Sequence, residues 1–254
     1  MAAPELARFA KENDGDGRYY VHPRTGQRVP SITSVLRLAD KSGLAQWAAN
    51  LTLQWCIDNW YVLSERSNEA AFHLARHKWT KVRDERAQVG TGVHETIEAL
   101  HTGGWDFPEL DDEQQRIMQH WYQLNEEHDI RPIHSEFTVW DAENEYAGTA
   151  DGFWLIDGVR TLVDIKTSKN HWPEHDAQLA ALYYAPIRME KVGEDSWVEN
   201  ENERAERAAV IHLREDKHEI IWIDNLDLHY DVFMGYRKVH LAKEALKKRE
   251  KEEK

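Results

Sequence analysis

The pattern of hydrophobic and polar positions predicts helices in the first half of the chain and mostly strands in the second half. Apolar residues recur at helical spacing early in the chain, whereas later segments alternate or run continuously apolar, as strands do. The pattern predicts helices over residues 32–38, 43–63, 66–78, 82–101, 111–129, 174–190 and from 226 onward. It predicts a hairpin within 18–30 and strands over 132–141, 146–156, 160–166, 207–213 and 218–223. This order favours an α/β fold, a mixed sheet flanked by helices.

The 254 residues are enough for one large domain, or for a domain with a helical appendage. We expect two regions. Residues 1–80 would form an N-terminal hairpin and a helical accessory region. Residues 81–254 would form the α/β core with its C-terminal helix.

Two neighbouring predicted strands carry the most informative side chains. In the second strand Val163 and Ile165 point to one face and Asp164 and Lys166 to the other, because side chains alternate along a strand. Asp151 lies on the preceding strand. Two carboxylates can hold a hard divalent cation, and a lysine beside them can orient or deprotonate a water molecule. A solvated ion pair is the alternative reading of the Asp-x-Lys motif taken alone.

A histidine on the predicted helix 82–101 extends this set. His94, Glu98 and His101 form one stripe of the helix, next to an apolar stripe. A histidine at such a boundary can also be a packed surface residue. The segment from His94 to Glu98 also approaches the His-Glu-x-x-His helix of zinc proteases, with Glu98 in place of the second histidine, but that reading leaves the strand acids unexplained.

Taken in order, these motifs resemble one nuclease superfamily. The sequence reads Gly-Thr-Gly-Val-His at 90–94, Gly-Thr-Ala-Asp-Gly at 148–152, Asp-Ile-Lys-Thr at 164–167, and then Gln178 and a tyrosine pair. This order is similar to the PD-(D/E)XK superfamily, and within it to the RecB-type exonucleases of phages and CRISPR-associated relatives. The similarity spans roughly residues 86–190. It implies a restriction-endonuclease-like core and a Mg²⁺- or Mn²⁺-dependent DNA exonuclease that hydrolyses phosphodiester bonds in phage or mobile-element recombination.

The resemblance also implies roles for individual residues. The residues that correspond to metal ligands are His94, Asp151, Asp164 and the backbone carbonyl of Ile165. The residues that correspond to catalytic groups are Asp151, Asp164 and Lys166, with the lysine acting on the attacking water. The residues that would contact DNA or brace the site are Thr167, Lys169, Gln178, Tyr183 and Tyr184. Further candidates are Glu98, Glu136, which could approach the metal or pair across the sheet, and Trp172, which could stack on a base.

The charge balance limits how the chain could bind DNA. The net charge is −14, whereas proteins that bind duplex DNA usually present a basic face. Bound cations reverse the local sign at a metal site, and the segments 76–83 and 166–169 offer local basic charge. The first of these segments could equally be a solvated helix face. DNA is therefore the expected partner, with a recombination or annealing protein as a second one. A non-catalytic DNA- or protein-binding module is the alternative function.

Cysteine content and hydropathy indicate the compartment. Cys56 is the single cysteine, which excludes an internal disulfide and a four-cysteine iron–sulfur cluster. No apolar run approaches the length of a bilayer span, and the first residues lack the apolar core of a signal peptide. We therefore expect a cytoplasmic protein without a membrane partner, located in the host cytoplasm if a phage encodes it.

Overall fold

The computed structural model describes residues 17–39, 42–104, 107–191 and 197–253. The strands are β1 (Tyr19–Val21), β2 (Arg28–Pro30), β3 (Ile130–Asp141), β4 (Tyr146–Ile156), β5 (Val159–Lys166), β6 (Ile187–Lys191), β7 (Trp197–Glu201), β8 (Arg207–Leu213) and β9 (His218–Trp222). The helices are α1 (Ile32–Leu36), α2 (Ser42–Asp58), α3 (Trp60–Ser64), α4 (Asn68–Arg76), α5 (Lys78–Thr102), α6 (Asp112–Glu127), α7 (Pro173–Tyr184) and α8 (Leu226–Glu252).

Seven strands form one mixed sheet in the order β7-β6-β3-β4-β5-β8-β9. Neighbouring strands are antiparallel except for β5 and β8, which are parallel. The turn between β4 and β5 has positive φ at both Asp157 (53°) and Gly158 (79°), the backbone that a two-residue hairpin turn requires. The predicted α/β fold with a mixed sheet flanked by helices is therefore confirmed.

Helices cover both faces of the sheet and create two hydrophobic cores. One core packs α5 and α6 against β5, where Val163 and Ile165 supply buried side chains. The other packs α1, α7 and α8 against the opposite face, to which Leu162 belongs. The predicted alternation along β5 is confirmed, and Asp164 consequently faces the α7 side.

The N-terminal region divides into a part that packs on the sheet and a part that does not. The β1–β2 hairpin contributes Tyr20 and Val29 to a small core with Trp140, and α1 begins after Ser31, whose hydroxyl accepts a hydrogen bond from the Ser34 amide. Helix α2 packs on α3, α4 and α5, and α4 also packs on α5. The predicted domain boundary at residue 80 falls inside α5 and stays a prediction.

Two predicted helices differ from the structure. The helix predicted over 43–63 is interrupted at Asn59, which separates α2 from α3. The helix predicted over 174–190 ends at Tyr184, because Pro186 lacks an amide hydrogen and disfavours helical backbone in the residue before it. The chain continues instead as β6. Among the described helices, none combines the length and the apolar content that crossing a bilayer requires.

Candidate metal centre

The pairing of β4 with β5 fixes the position of Asp151. Its Oδ2 atom accepts a hydrogen bond from the Ile165 amide at 2.7 Å, so the carboxylate is tied to the strand that carries Asp164 and Lys166. The side chain of Asp151 is 14% exposed. Its other oxygen, Oδ1, faces α5.

The glycine after Asp151 allows an indole to pack against the strand. A Cβ atom on Gly152 would overlap the Trp154 ring, which is fully buried in the core under α5 and α6. Because an indole is rigid, the position tolerates only glycine without a shift of the strand. Gly152 therefore lets a large core side chain lie directly beside a candidate metal ligand.

Two glycines on α5 bring His94 to Asp151. A Cβ atom on Gly92 would overlap the amide of Gln114, which caps the start of α6 and donates to the Gln88 carbonyl of α5 at 3.2 Å. A Cβ atom on Gly90 would lie 3.1 Å from Thr167 Oγ1 at the end of β5. The resulting close approach of α5 to its neighbours leaves His94 Nδ1 at 3.6 Å from Asp151 Oδ1.

Glu136 completes a three-residue group. One potential ligand atom from each of His94, Glu136 and Asp151 lies within 4.8 Å of the others. Two atoms bound to one ion at about 2.1 Å can be at most about 4.2 Å apart, so small side-chain rotations would let all three share an ion. Glu136 has a φ of 48° within β3, a strained conformation for a residue other than glycine and a feature that clusters at functional sites.

The donor set of this group fits a particular class of metal. Two carboxylates and one imidazole suit Mn²⁺ well, and the carboxylates also suit Mg²⁺. Within the described residues, this is the one cluster of three metal-binding side chains with such spacing. The sequence alone allows either a metal role or cross-strand pairing for Glu136. The structure adds Glu136 to the candidate ligands.

Asp164 and Lys166 form a second part of the site. Asp164 is fully buried, its Oδ1 accepts a hydrogen bond from Gln178 Nε2 at 2.9 Å, and its Oδ2 lies 2.5 Å from Lys166 Nζ. Gln178 reaches Asp164 because α7 packs over the polar face of β5, and its expected contact with DNA stays a prediction. Asp164 falls outside the three-residue group, and its role as a ligand stays a prediction, as does that of the Ile165 carbonyl.

Burial and neighbouring charges shift the ionisation of these groups in different directions. Burial raises the pKa of Asp164 to about 6, and the Lys166 ammonium offsets only part of that effect. Burial also opposes ionisation of Asp151, but the His94 ring and Lys166 outweigh it and lower the pKa of Asp151. Burial disfavours the charged forms of His94 and Lys166, yet the adjacent carboxylates raise the pKa of both.

Several predicted site residues lie away from this centre. Tyr183 donates a hydrogen bond to the Ala205 carbonyl at 3.2 Å, and the ring of Tyr184 packs at 4.7 Å from that of Tyr230. Both tyrosines thus have structural partners at the end of α7. Glu98 falls outside the three-residue group. Lys169 and Trp172 are exposed on the segment between β5 and α7. The substrate contacts predicted for these residues stay predictions.

Sequence reasoning missed one residue that supports the site. His212 on β8 is buried and aligned in register with Lys166. Its Nε2 atom lies 2.6 Å from the Ser168 carbonyl, and its Nδ1 atom lies 3.1 Å from Glu219 Oε1. His212 therefore fixes the backbone just beyond Lys166. A histidine inside the apolar run of β8 was the available signal, since buried polar groups need hydrogen-bond partners.

No protein-family model matches the sequence, and no curated protein matches it. The geometry of this centre and the order of the sequence motifs are therefore the features that bear on function. The geometry unites His94, Glu136 and Asp151, and it places Lys166 and Gln178 around the neighbouring Asp164. This arrangement has the groups needed to hold a divalent cation beside a lysine.

Proposed function

We propose that the chain is a Mg²⁺- or Mn²⁺-dependent deoxyribonuclease of the PD-(D/E)XK type, acting as an exonuclease in phage or mobile-element recombination. The observation that carries the proposal is the meeting of His94, Glu136 and Asp151 next to the Asp164–Lys166 pair. The mixed sheet supports it, because the adjacent strands β4 and β5 carry the acids. The RecB-type exonuclease assignment rests on the sequence resemblance.

The side chains have distinct tasks in this proposal. A divalent cation at the centre would supply Lewis-acid stabilisation and lower the pKa of a bound water. His94, Glu136 and Asp151 would hold that cation, with Asp164 as a further ligand. Lys166 would orient the attacking water and offset the negative charge that develops on the phosphate oxygens. Gln178 holds the Asp164 carboxylate in place through Nε2.

A non-catalytic binding module is the second candidate, and one observation favours it. Lys166 Nζ already lies 2.5 Å from a fully buried carboxylate. A lysine that stays in this pair would have a structural role and would not reach a water molecule. The two candidates differ in whether any phosphodiester bond is broken.

Cleavage of end-labelled linear DNA tests the proposal. Duplex and single-stranded substrates would be incubated with the full chain in EDTA, Ca²⁺, Mg²⁺ or Mn²⁺. We expect cleavage only with Mg²⁺ or Mn²⁺, and a loss of at least about 100-fold in Asp151→Asn and Lys166→Met. Lys243→Met, on the exposed face of α8, is the matched control and should cleave normally. Wild-type protein that binds DNA but cleaves neither substrate with any ion would establish the non-catalytic alternative.

A further inference from the structure

The helices before the metal centre expose an unusual amount of apolar surface. We define the helical aromatic surface as the exposed apolar side chains of α2, α3 and α4. Its members are Leu44, Trp47, Leu53, Ile57, Trp60, Tyr61, Val62, Phe72 and Leu74. Trp60 and Tyr61 are 69% and 75% exposed. At about 150–250 Å² per aromatic side chain, the four aromatics together expose roughly 500 Å² of surface.

Cations lie beside aromatic rings on α4 and on the first turns of α5, where Lys78 also reaches a ring of α2. Arg76 lies 5.7 Å from the ring centre of Phe72, and Lys78 lies 5.8 Å from that of Trp55. Arg83 lies 5.2 Å from the Trp79 ring. Rings flanked by cations suit a ligand with stacked planar groups and negative charge.

The charge of this segment differs from that of the rest of the chain. Residues 42–86 contain six Lys and Arg against five Asp and Glu, a net charge of +1, whereas the full chain carries −14. The acidic excess therefore lies elsewhere. A polyanion that approaches the protein meets less repulsion on these helices than on the remaining surface.

We propose that the helical aromatic surface binds single-stranded DNA and leads it to the metal centre. The inference rests on the proposed nuclease function and specifies its substrate. Unpaired bases expose the ring faces that stack on aromatic side chains, whereas a duplex hides them. The duplex also has the denser charge, which an acidic protein disfavours. Both differences, in base exposure and in charge density, favour single-stranded over double-stranded DNA.

Helix α5 connects the surface to the centre. It runs without interruption from Lys78, beside the Trp55 ring, to His94 and beyond. Sixteen residues at 1.5 Å per residue span about 24 Å, which corresponds to at most about seven nucleotides at the duplex rise of roughly 3.4 Å each and to fewer in a more extended single strand. This length lies within the range of about 4–16 nucleotides that single-strand-binding folds contact.

Fluorescence anisotropy in EDTA tests the surface without requiring cleavage. The full chain would be titrated into a labelled 12-nucleotide oligothymidine and into a duplex of equal length. We expect tighter binding of the single strand. The double variant Trp60→Ala/Tyr61→Ala should bind it at least about tenfold more weakly, since each stacked base contributes about fivefold or more. Tyr122→Ala, which removes a half-exposed aromatic of α6, is the matched control and should bind like wild type.

The outcomes separate this inference from the proposed function. Unchanged single-strand affinity in the double variant would overturn the inference. If sedimentation instead shows a wild-type dimer that the double variant loses, with DNA affinity unchanged, the surface belongs to a second copy of the chain. Wild-type protein that binds single strands through these aromatics but cleaves nothing in Mn²⁺ would refute the nuclease and leave the surface supported. If the double variant retains full cleavage, the nuclease is supported and the proposed role of the surface is refuted.

Discussion

Replacing Glu136 by Gln should have opposite effects on stability with and without metal. In EDTA, Glu136 places a second carboxylate close to Asp151, and both potential ligand atoms lie within 4.8 Å of each other. Two unit charges at that separation repel by about 3 kcal/mol at an effective dielectric constant of about 20. Because His94 offsets part of this repulsion, we expect Glu136→Gln to stabilise the metal-free protein by about 1 kcal/mol.

Bound metal should reverse this order of stability between wild type and variant. An ion at 100 times its dissociation constant stabilises the folded wild type by about 2.7 kcal/mol, which is roughly 5–10 °C in Tm for a protein of this size. Glu136→Gln removes one of the three side chains of the group, so most of that increase should disappear. In saturating Mn²⁺ the wild type should therefore melt above the variant.

Thermal unfolding followed by circular dichroism, in EDTA and across a Mn²⁺ titration, measures both effects. Glu143→Gln, which removes an exposed carboxylate from the β3–β4 turn, is the matched control and should change neither the metal-free Tm nor the Mn²⁺ response. An equal Mn²⁺ response in Glu136→Gln and wild type would show that Glu136 is not a ligand. A variant less stable than wild type in EDTA would show that repulsion between the carboxylates is not the dominant effect.

Three further substitutions test the surroundings of the site by urea denaturation in EDTA. Lys166→Met leaves the buried Asp164 unpaired and should cost about 3 kcal/mol at pH 8 but less at pH 5, where that carboxyl, with its pKa already raised to about 6, takes up a proton. Gly152→Ala should cost about 2 kcal/mol or more, because its Cβ overlaps the Trp154 ring. Burial lowers the pKa of His101 to about 4, so the unfolded chain takes up the proton first and wild type loses stability between pH 8 and pH 5. His101→Leu should make that loss smaller by about 2 kcal/mol.

Matched substitutions separate these effects from general damage. Gly43→Ala meets open space in α2 and should stabilise the protein slightly, by up to about 1 kcal/mol. His73→Gln, on the exposed face of α4, is the matched control for His101→Leu. Equal destabilisation of Lys166→Met at pH 5 and pH 8 would contradict the protonation of Asp164. A Gly152→Ala protein as stable as wild type would contradict the overlap with Trp154. A His101→Leu protein with the wild-type pH dependence would contradict the role assigned to His101.

Most of the fold could be predicted from the sequence because its signals are local. The period-two pattern of β5 and the Asp157-Gly158 turn specify a hairpin without reference to the rest of the chain. Strands β6 and β7 were missed for the opposite reason. The pairing of β6 with β3 is a long-range choice, and β7 joins the sheet only through β6. The sequence of β7, with three charged or amide side chains among five residues, also carries little apolar signal.

The candidate site was predictable only in part. Asp151, Asp164 and Lys166 lie in short motifs, and their strand registry follows from alternation. The position of Glu136 depends on a local irregularity of β3, where φ is 48°, and no local pattern gives such a value for a glutamate. His212 is separated from Ser168 by more than forty residues, so their hydrogen bond is visible only after β5 and β8 have paired.

The parallel pairing of β5 with β8 has a consequence for biosynthesis. A nascent chain that has emerged only through β7 already contains all the candidate ligands, the lysine and Gln178. Nevertheless, β5 would still be an open edge, because its parallel neighbour begins only at Arg207. The register partner of Lys166 and the hydrogen bond that fixes the backbone beyond it would be missing as well. We therefore expect the centre to become competent only after β8 has left the ribosome, well after its own side chains have been synthesised.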